Sequence, residues 1–111
     1  MSVHWLFLAG AIVLEVMGTT SMKLSQGLTK PFWSIAMFVF YAASFSLFAK
    51  ALEKLDVGMS YAIWSGVGTV AIVTIGFFVF EEQLSFSKAA AIVLIIIGVV
   101  WLNLASGNAH S

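Results

Sequence analysis

Four long apolar stretches, about 3–21, 32–49, 57–80 and 86–104, make up most of the chain and hold only Glu15 and Lys88 as carboxylate or ammonium groups. The hydrocarbon core of a bilayer, about 30 Å thick, is crossed by roughly 20 apolar residues in a helix. In lipid the backbone must satisfy its own polar groups, which a helix does within one segment. Each stretch therefore reads as a membrane-spanning helix, and the expected fold class is an all-α membrane protein with four transmembrane helices per subunit. Composition closes off the soluble alternative. Of the 111 residues, 61% are apolar or aromatic and only 9% are charged, against roughly 25% charged in a soluble domain, so no polar shell can be built around so small a body. The connections are short, which predicts a single four-helix transmembrane domain over 1–111. The opening "MSVHW" lacks the Lys or Arg of a secretory leader, so the first span is expected to stay. Pro31 stands where a second helix would start, at a position that needs no N–H.

Orientation in a membrane follows the side on which Lys and Arg gather. With four spans both termini share a side. The first and third loops then receive Lys23, Lys30 and Lys88, while the middle loop receives Lys50 and Lys54. Three against two, with no arginine, does not fix one topology, so the chain is expected to insert both ways up. Four spans without an internal inverted repeat also lack the paired gates that many transporters use. Two copies in opposite orientation supply them, and an antiparallel homodimer is the expected assembly. A monomeric or parallel bundle is the competing arrangement.

Glu15, in "AIVLEVMGTT", is the singular residue. A charged group at the bilayer centre costs about 2.5–3.5 kcal/mol or more and usually faces a protein interior or a wet cavity. Helical spacing puts Leu8, Ala11, Gly18, Thr19 and Met22 beside it. Most of these are small, which leaves room next to the carboxylate. No basic residue lies in any span deep enough to pair with it, so either a proton or an arriving cation must neutralise it. Those two ligands then compete for one site, the minimal chemistry of a proton-coupled antiporter. A buried acid satisfied by a hydroxyl or by water is the plain alternative.

In the third span "SYAIWSGVG" brings Tyr61, Trp64, Ser65 and Gly68 onto one helical face. Aromatic faces attract organic cations by about 0.5–2 kcal/mol each, so two rings and an acid make a cation cage; anchoring at the membrane surface is the other use of such rings. Gly66 and Gly68 permit either close helix approach or a bend. Tyr41, Ser44 and Phe45 share a face of the second span and can complete the wall of a site or be a chance polar stripe. The fourth span, with Gly98 as its single glycine, reads as a lipid-facing or subunit-binding helix. Glu81 and Glu82, like Glu53 and Asp56, read as solvated loop charge, and His4 and His110 as inert. The chain has no cysteine, no His, Asp or Glu spacing that suggests a metal, and neither a phosphate loop nor a nucleophile motif. No cofactor, metal, enzymatic activity or nucleic-acid partner is expected.

With "AIVLEVMGTTSMKLSQG", "SYAIWSGVG" and "IIIGVVWLNLAS" in view, the sequence resembles the small multidrug resistance family of bacterial four-helix exporters over nearly its whole length. The resemblance implies an antiparallel dimer in which Glu15 of each subunit is shared between protons and substrate. It also implies that Tyr61 and Trp64 are substrate-site aromatics and that Ser65 to Gly68 is the segment where the third helix bends; the reading of the fourth helix as subunit-binding makes Gly98 the expected dimer contact. Ala11 and Thr19 match the small residues flanking the glutamate, and Tyr41 and Phe45 the aromatics of the second helix. Guanidinium exporters of the family carry Trp three residues after the glutamate, where this chain has Gly18. That opens the pocket to bulky, flat cations, and "GTT" is similar to the quaternary-cation branch. Two departures stand out. Glu81, Glu82 and Gln83 replace the usual Gly-Gln-Arg, which resembles branches that work as heteromeric pairs, and Ala91 stands where the fourth-helix dimer motif of the family commonly has glycine.

The expectation is therefore a proton-coupled exporter of lipophilic and quaternary ammonium cations in a bacterial cytoplasmic membrane, contacting lipid and a second copy of itself. The alternatives are one subunit of a paired transporter, for instance for polyamines, or a guanidinium exporter. Outside that class stand a passive channel and a structural membrane protein.

Overall fold

The computed structural model describes residues 3–109, with side chains over 3–105, and consists of four helices: α1 (Val3–Leu24), α2 (Pro31–Ala51), α3 (Val57–Val79) and α4 (Phe86–Ala109). His110 lies outside the described residues. All four are long and apolar enough to cross a membrane. The fold is all-α, as the apolar runs require. Helix α1 runs on to Leu24 and α2 to Ala51, each a little beyond its apolar stretch. Lys23 and Lys50 sit in those last turns, where a cation complements the negative end of the helix dipole and its stem can reach toward water.

The chain divides into two helical hairpins, α1 with α2 up to Leu55 and α3 with α4 from Asp56. In the first, Ser44 on α2 is fully buried and donates its hydroxyl to the Ala11 carbonyl of α1 at 2.6 Å. That bond fixes how the two helices face each other at mid-span. The turn is held by Ser25, also fully buried. Its hydroxyl donates to the Met22 carbonyl at 2.6 Å and accepts from Leu28 N–H at 3.0 Å, while its carbonyl takes the N–H groups of Thr29 and Lys30. These bonds enforce a left-handed backbone at Gln26, Gly27 and Leu28 (φ 50°, 74° and 68°), unusual for the two that carry a Cβ. At the open end His4 Nε2 stands 3.9 Å from Glu53 Oε1. Helix α2 starts at Pro31 behind an extended Lys30, as Pro at a first turn favours.

In the second hairpin Gly66 lets α4 come close. A Cβ there would meet Val99 Cγ2 at 2.5 Å and Ile95 Cγ2 at 3.4 Å. Helix α4 buries none of its residues from Phe86 to Ala105 within the protomer, leaving Leu94, Ile97, Val100 and Trp101 exposed. Apart from its chain neighbours and its own turn of helix, Gly98 has no atom among the described residues within 4 Å of where a Cβ would stand.

Candidate functional site

Glu15 is half-buried at the middle of α1. One turn on, Thr19 donates its hydroxyl to Glu15 Oε1 at 2.9 Å. The same Thr19 oxygen lies 2.7 Å from the Tyr41 hydroxyl of α2. A threonine hydroxyl has a single proton. With that proton directed to the carboxylate, Tyr41 must donate to Thr19, so the three groups form one directed chain from phenol to hydroxyl to carboxylate. A protonated carboxyl in the same place can either accept from Thr19 through its carbonyl oxygen or donate to it. The carboxylate is thus tied to a hydroxyl chain that serves either of its charge states.

What brings Tyr41 to this place is Gly18. A Cβ at residue 18 would stand 2.6 Å and 2.7 Å from Tyr41 Cε1 and Cδ1, and 3.4 Å from Phe40 Cβ. Within this hairpin the space beside Gly18 is therefore filled by the tyrosine ring. Room adjoining the carboxylate has to lie on its other sides. Phe45 stacks alongside Tyr41, with centroids 6.0 Å apart and planes 18° from parallel, and is itself 54% exposed. An acid, two hydroxyls and two rings, that of Tyr41 half-buried and that of Phe45 exposed, follow one another across α1 and α2. Leu8 and Ala11 are buried behind them, and the Ser44 hydroxyl is committed to the Ala11 carbonyl, so Ser44 joins the helices.

On α3, Tyr61 and Trp64 meet edge to face at 5.7 Å and 83°. The Tyr61 ring is 58% exposed, whereas Trp64 is half-buried. Ser65 is exposed and its carbonyl takes the Thr69 hydroxyl at 2.6 Å, a back-bond of the kind that bends helices. Gly66 and Gly68 are buried, and Gly66 packs α4. Spacing along the sequence had not singled out Ser60, one turn before Trp64. It is fully buried, and its hydroxyl has no hydrogen-bond partner among the described residues. A buried hydroxyl without a bond costs about 1–3 kcal/mol, which marks it as a place for a polar atom of a ligand or water. Nor could spacing show that Tyr41 reaches Thr19, since that depends on the register of two helices.

The sequence matches the family model described as Small Multidrug Resistance protein over residues 3–109. It is 48% identical to the uncharacterized membrane protein YvaE of Bacillus subtilis, over 91% of this chain and 85% of that one. It is 41% identical to the multidrug transporter EmrE of Escherichia coli, over 92% and 93% of the two chains. A third similar protein is the quaternary ammonium compound-resistance protein QacE of Escherichia coli, at 39% identity over 96% and 97%. Four apolar spans together with these relatives make the chain a multi-pass membrane protein.

Proposed function

The chain belongs to the Small Multidrug Resistance family, and from that premise we propose that it is a proton-coupled exporter of lipophilic and quaternary ammonium cations in the bacterial cytoplasmic membrane, working as an antiparallel homodimer. The observation that carries this reading is the continuous row Glu15, Thr19, Tyr41 and Phe45 across two adjacent membrane spans. The carboxylate supplies the charge that an organic cation needs. The rings of Tyr41 and Phe45, with Tyr61 and Trp64 of α3, supply faces attractive to it, each by about 0.5–2 kcal/mol. The hydroxyl chain keeps the carboxylate hydrogen-bonded after its proton has left to water. In low dielectric the carboxylate is costly when alone, so it exchanges one neutralising partner for the other instead of standing bare. A proton arriving from outside displaces the cation, and a cation arriving from inside displaces the proton. The Ser65 to Gly68 segment, small and back-bonded, is the hinge of this exchange, and Gly98 on the exposed α4 is a contact with the second copy. Relatives named for multidrug transport and quaternary ammonium resistance support the substrate class.

The test is transport by the protein alone in sealed vesicles with an acidic lumen. External tetraphenylphosphonium should accumulate inside, and an ionophore that collapses the pH gradient should stop it. Conductance without proton exchange would make the protein a channel. Absence of uptake by the single chain would overturn the homodimer reading in favour of a paired subunit.

A further inference from the structure

The loop between α3 and α4 sets its charges at the helix ends that favour them least. Helix α3 ends at Val79 and is followed by Glu81 and Glu82, so two carboxylates stand beside the negative end of its dipole. Helix α4 begins at Phe86 with Lys88 in its first turn, so an ammonium stands at a positive end. Acids are favoured at helix N-termini and bases at C-termini. Here both are reversed, and a negative pole and a positive pole lie side by side on one short loop. The loop holds a defined shape. Glu81 is left-handed at φ 56°, Glu82 N–H donates to the Gly76 carbonyl at 2.9 Å, and the Glu82 side chain occupies the space where a Cβ on Gly76 would stand. Lys88 N–H donates to Ser85 Oγ at 3.2 Å. Lys88 Nζ donates to the Gln83 carbonyl at 2.7 Å, using one of its three donors.

From this mouth a cleft of about 260 Å³ runs down between the two helices. Thr69, Val73 and Phe77 line it at four-residue intervals on α3, and Ala91, Ile92 and Ile95 line it on α4. Eight residues of helix at 1.5 Å each give it a length of about 12 Å along the span. Below the mouth its walls are apolar, and the Thr69 hydroxyl at the far end is taken by the Ser65 carbonyl. The cleft is thus shaped for a hydrocarbon chain lying parallel to the helices, under a headgroup with charges of both signs.

We propose that this cleft is a binding site for a phospholipid whose headgroup carries a phosphate and a primary ammonium, the phosphatidylethanolamine type. The phosphate lies on the Lys88 ammonium, which has two donors left after Gln83, and on the N–H groups of Phe86 and Ser87 at the start of α4, those of Lys88 and Ala89 being taken by Ser85. The headgroup ammonium lies on Glu81 and Glu82, and one acyl chain fills the cleft. An anionic glycerol headgroup meets the positive pole but offers the carboxylates only neutral hydroxyls, with no positive charge, while its own net charge is repelled by them. A choline headgroup reaches the carboxylates without an N–H to donate. The acidic loop thereby acquires a role separate from cation export.

The full chain, purified in detergent, is given equal amounts of phosphatidylethanolamine, phosphatidylglycerol and phosphatidylcholine with the same acyl chains, and retained lipid is read by native mass spectrometry. The unmodified protein should retain the ethanolamine lipid in preference to both others. Lys88→Gln should weaken that retention about fivefold, the effect of one basic group near a phosphate surface. Glu81→Gln with Glu82→Gln should abolish the preference over the glycerol lipid while leaving the glycerol lipid itself at least as well bound. Val73→Trp, which fills the cleft from α3 and leaves every charge in place, should lower retention of all three. Circular dichroism checks the helix content of each variant. Equal or better retention of the glycerol lipid by the unmodified protein overturns the proposal whether or not any variant folds, and so does an adduct pattern that none of the folded variants changes.

Discussion

Replacing Gly18 by alanine perturbs the candidate site through a side chain that never touches the carboxylate. The added methyl would stand 2.6 Å from one Tyr41 ring carbon and 2.7 Å from another, against an optimal carbon separation of about 3.5–4.0 Å. The ring must therefore retreat by about 1 Å, and its hydroxyl, now 2.7 Å from Thr19 Oγ1, leaves hydrogen-bond range. Overpacking costs about 1–3 kcal/mol, offset by the roughly 1 kcal/mol that alanine gains over glycine inside a helix, so the net loss of stability should be about 0–2 kcal/mol. The loss at the site should be that of one hydrogen bond, about 1 kcal/mol, which weakens binding of a lipophilic cation about fivefold. Tyr41→Phe removes the same bond without the clash and should weaken binding equally. Since both act through one contact, the double variant should show about the fivefold loss of either alone. The assay is equilibrium binding of tetraphenylphosphonium to the four proteins at one pH. A product of the two single effects, or an unchanged affinity in Gly18→Ala, would refute the claim that Gly18 acts by seating Tyr41.

Gly66→Ala drives a methyl into Val99 Cγ2 and should cost about 0–2 kcal/mol of stability once the helix preference of alanine is counted, with Val99→Ala relieving the clash in a melting experiment. Ser60→Ala removes a buried hydroxyl that lacks a partner among the described residues. Stability should hold or rise by about 1 kcal/mol, while a competition binding assay should show weaker binding of cations that bear a hydrogen-bonding group and unchanged binding of tetraphenylphosphonium. Leu28→Gly relieves a left-handed leucine, whose strain of about 1–2 kcal/mol exceeds the entropy that glycine adds to the unfolded chain, so the melting temperature should rise.

The four helices were legible because each apolar run is as long as lipid requires, a constraint that acts on every residue of the run at once. Their ends were less so: α2 continues to Ala51 past Lys50, because a lysine at a membrane surface adds charge without ending a helix. Thr19 could be placed beside Glu15 from their separation of four residues. The Tyr41 link could not, because it needs the register of α1 against α2, which Ser44 sets by bonding to the Ala11 carbonyl. Gly18 shows how a correct residue can suggest an incomplete picture. Counting small side chains gave open space, and the structure fills that side with the neighbouring helix's ring. Left-handed Gln26, Leu28 and Glu81 were invisible for a related reason: intrinsic preference looks for glycine there, and a set of turn hydrogen bonds overrides it.

The central claim is that one carboxylate takes proton and drug in turn, and calorimetric binding of tetraphenylphosphonium across pH, repeated in buffers of different protonation enthalpy, tests it most directly. Affinity should climb as the solution becomes more alkaline, each binding event should release protons at acid pH, and Glu15→Gln should bind neither tightly nor with any proton release. Affinity that stays level across pH in the unmodified protein, or tight binding that persists in Glu15→Gln, would contradict the account.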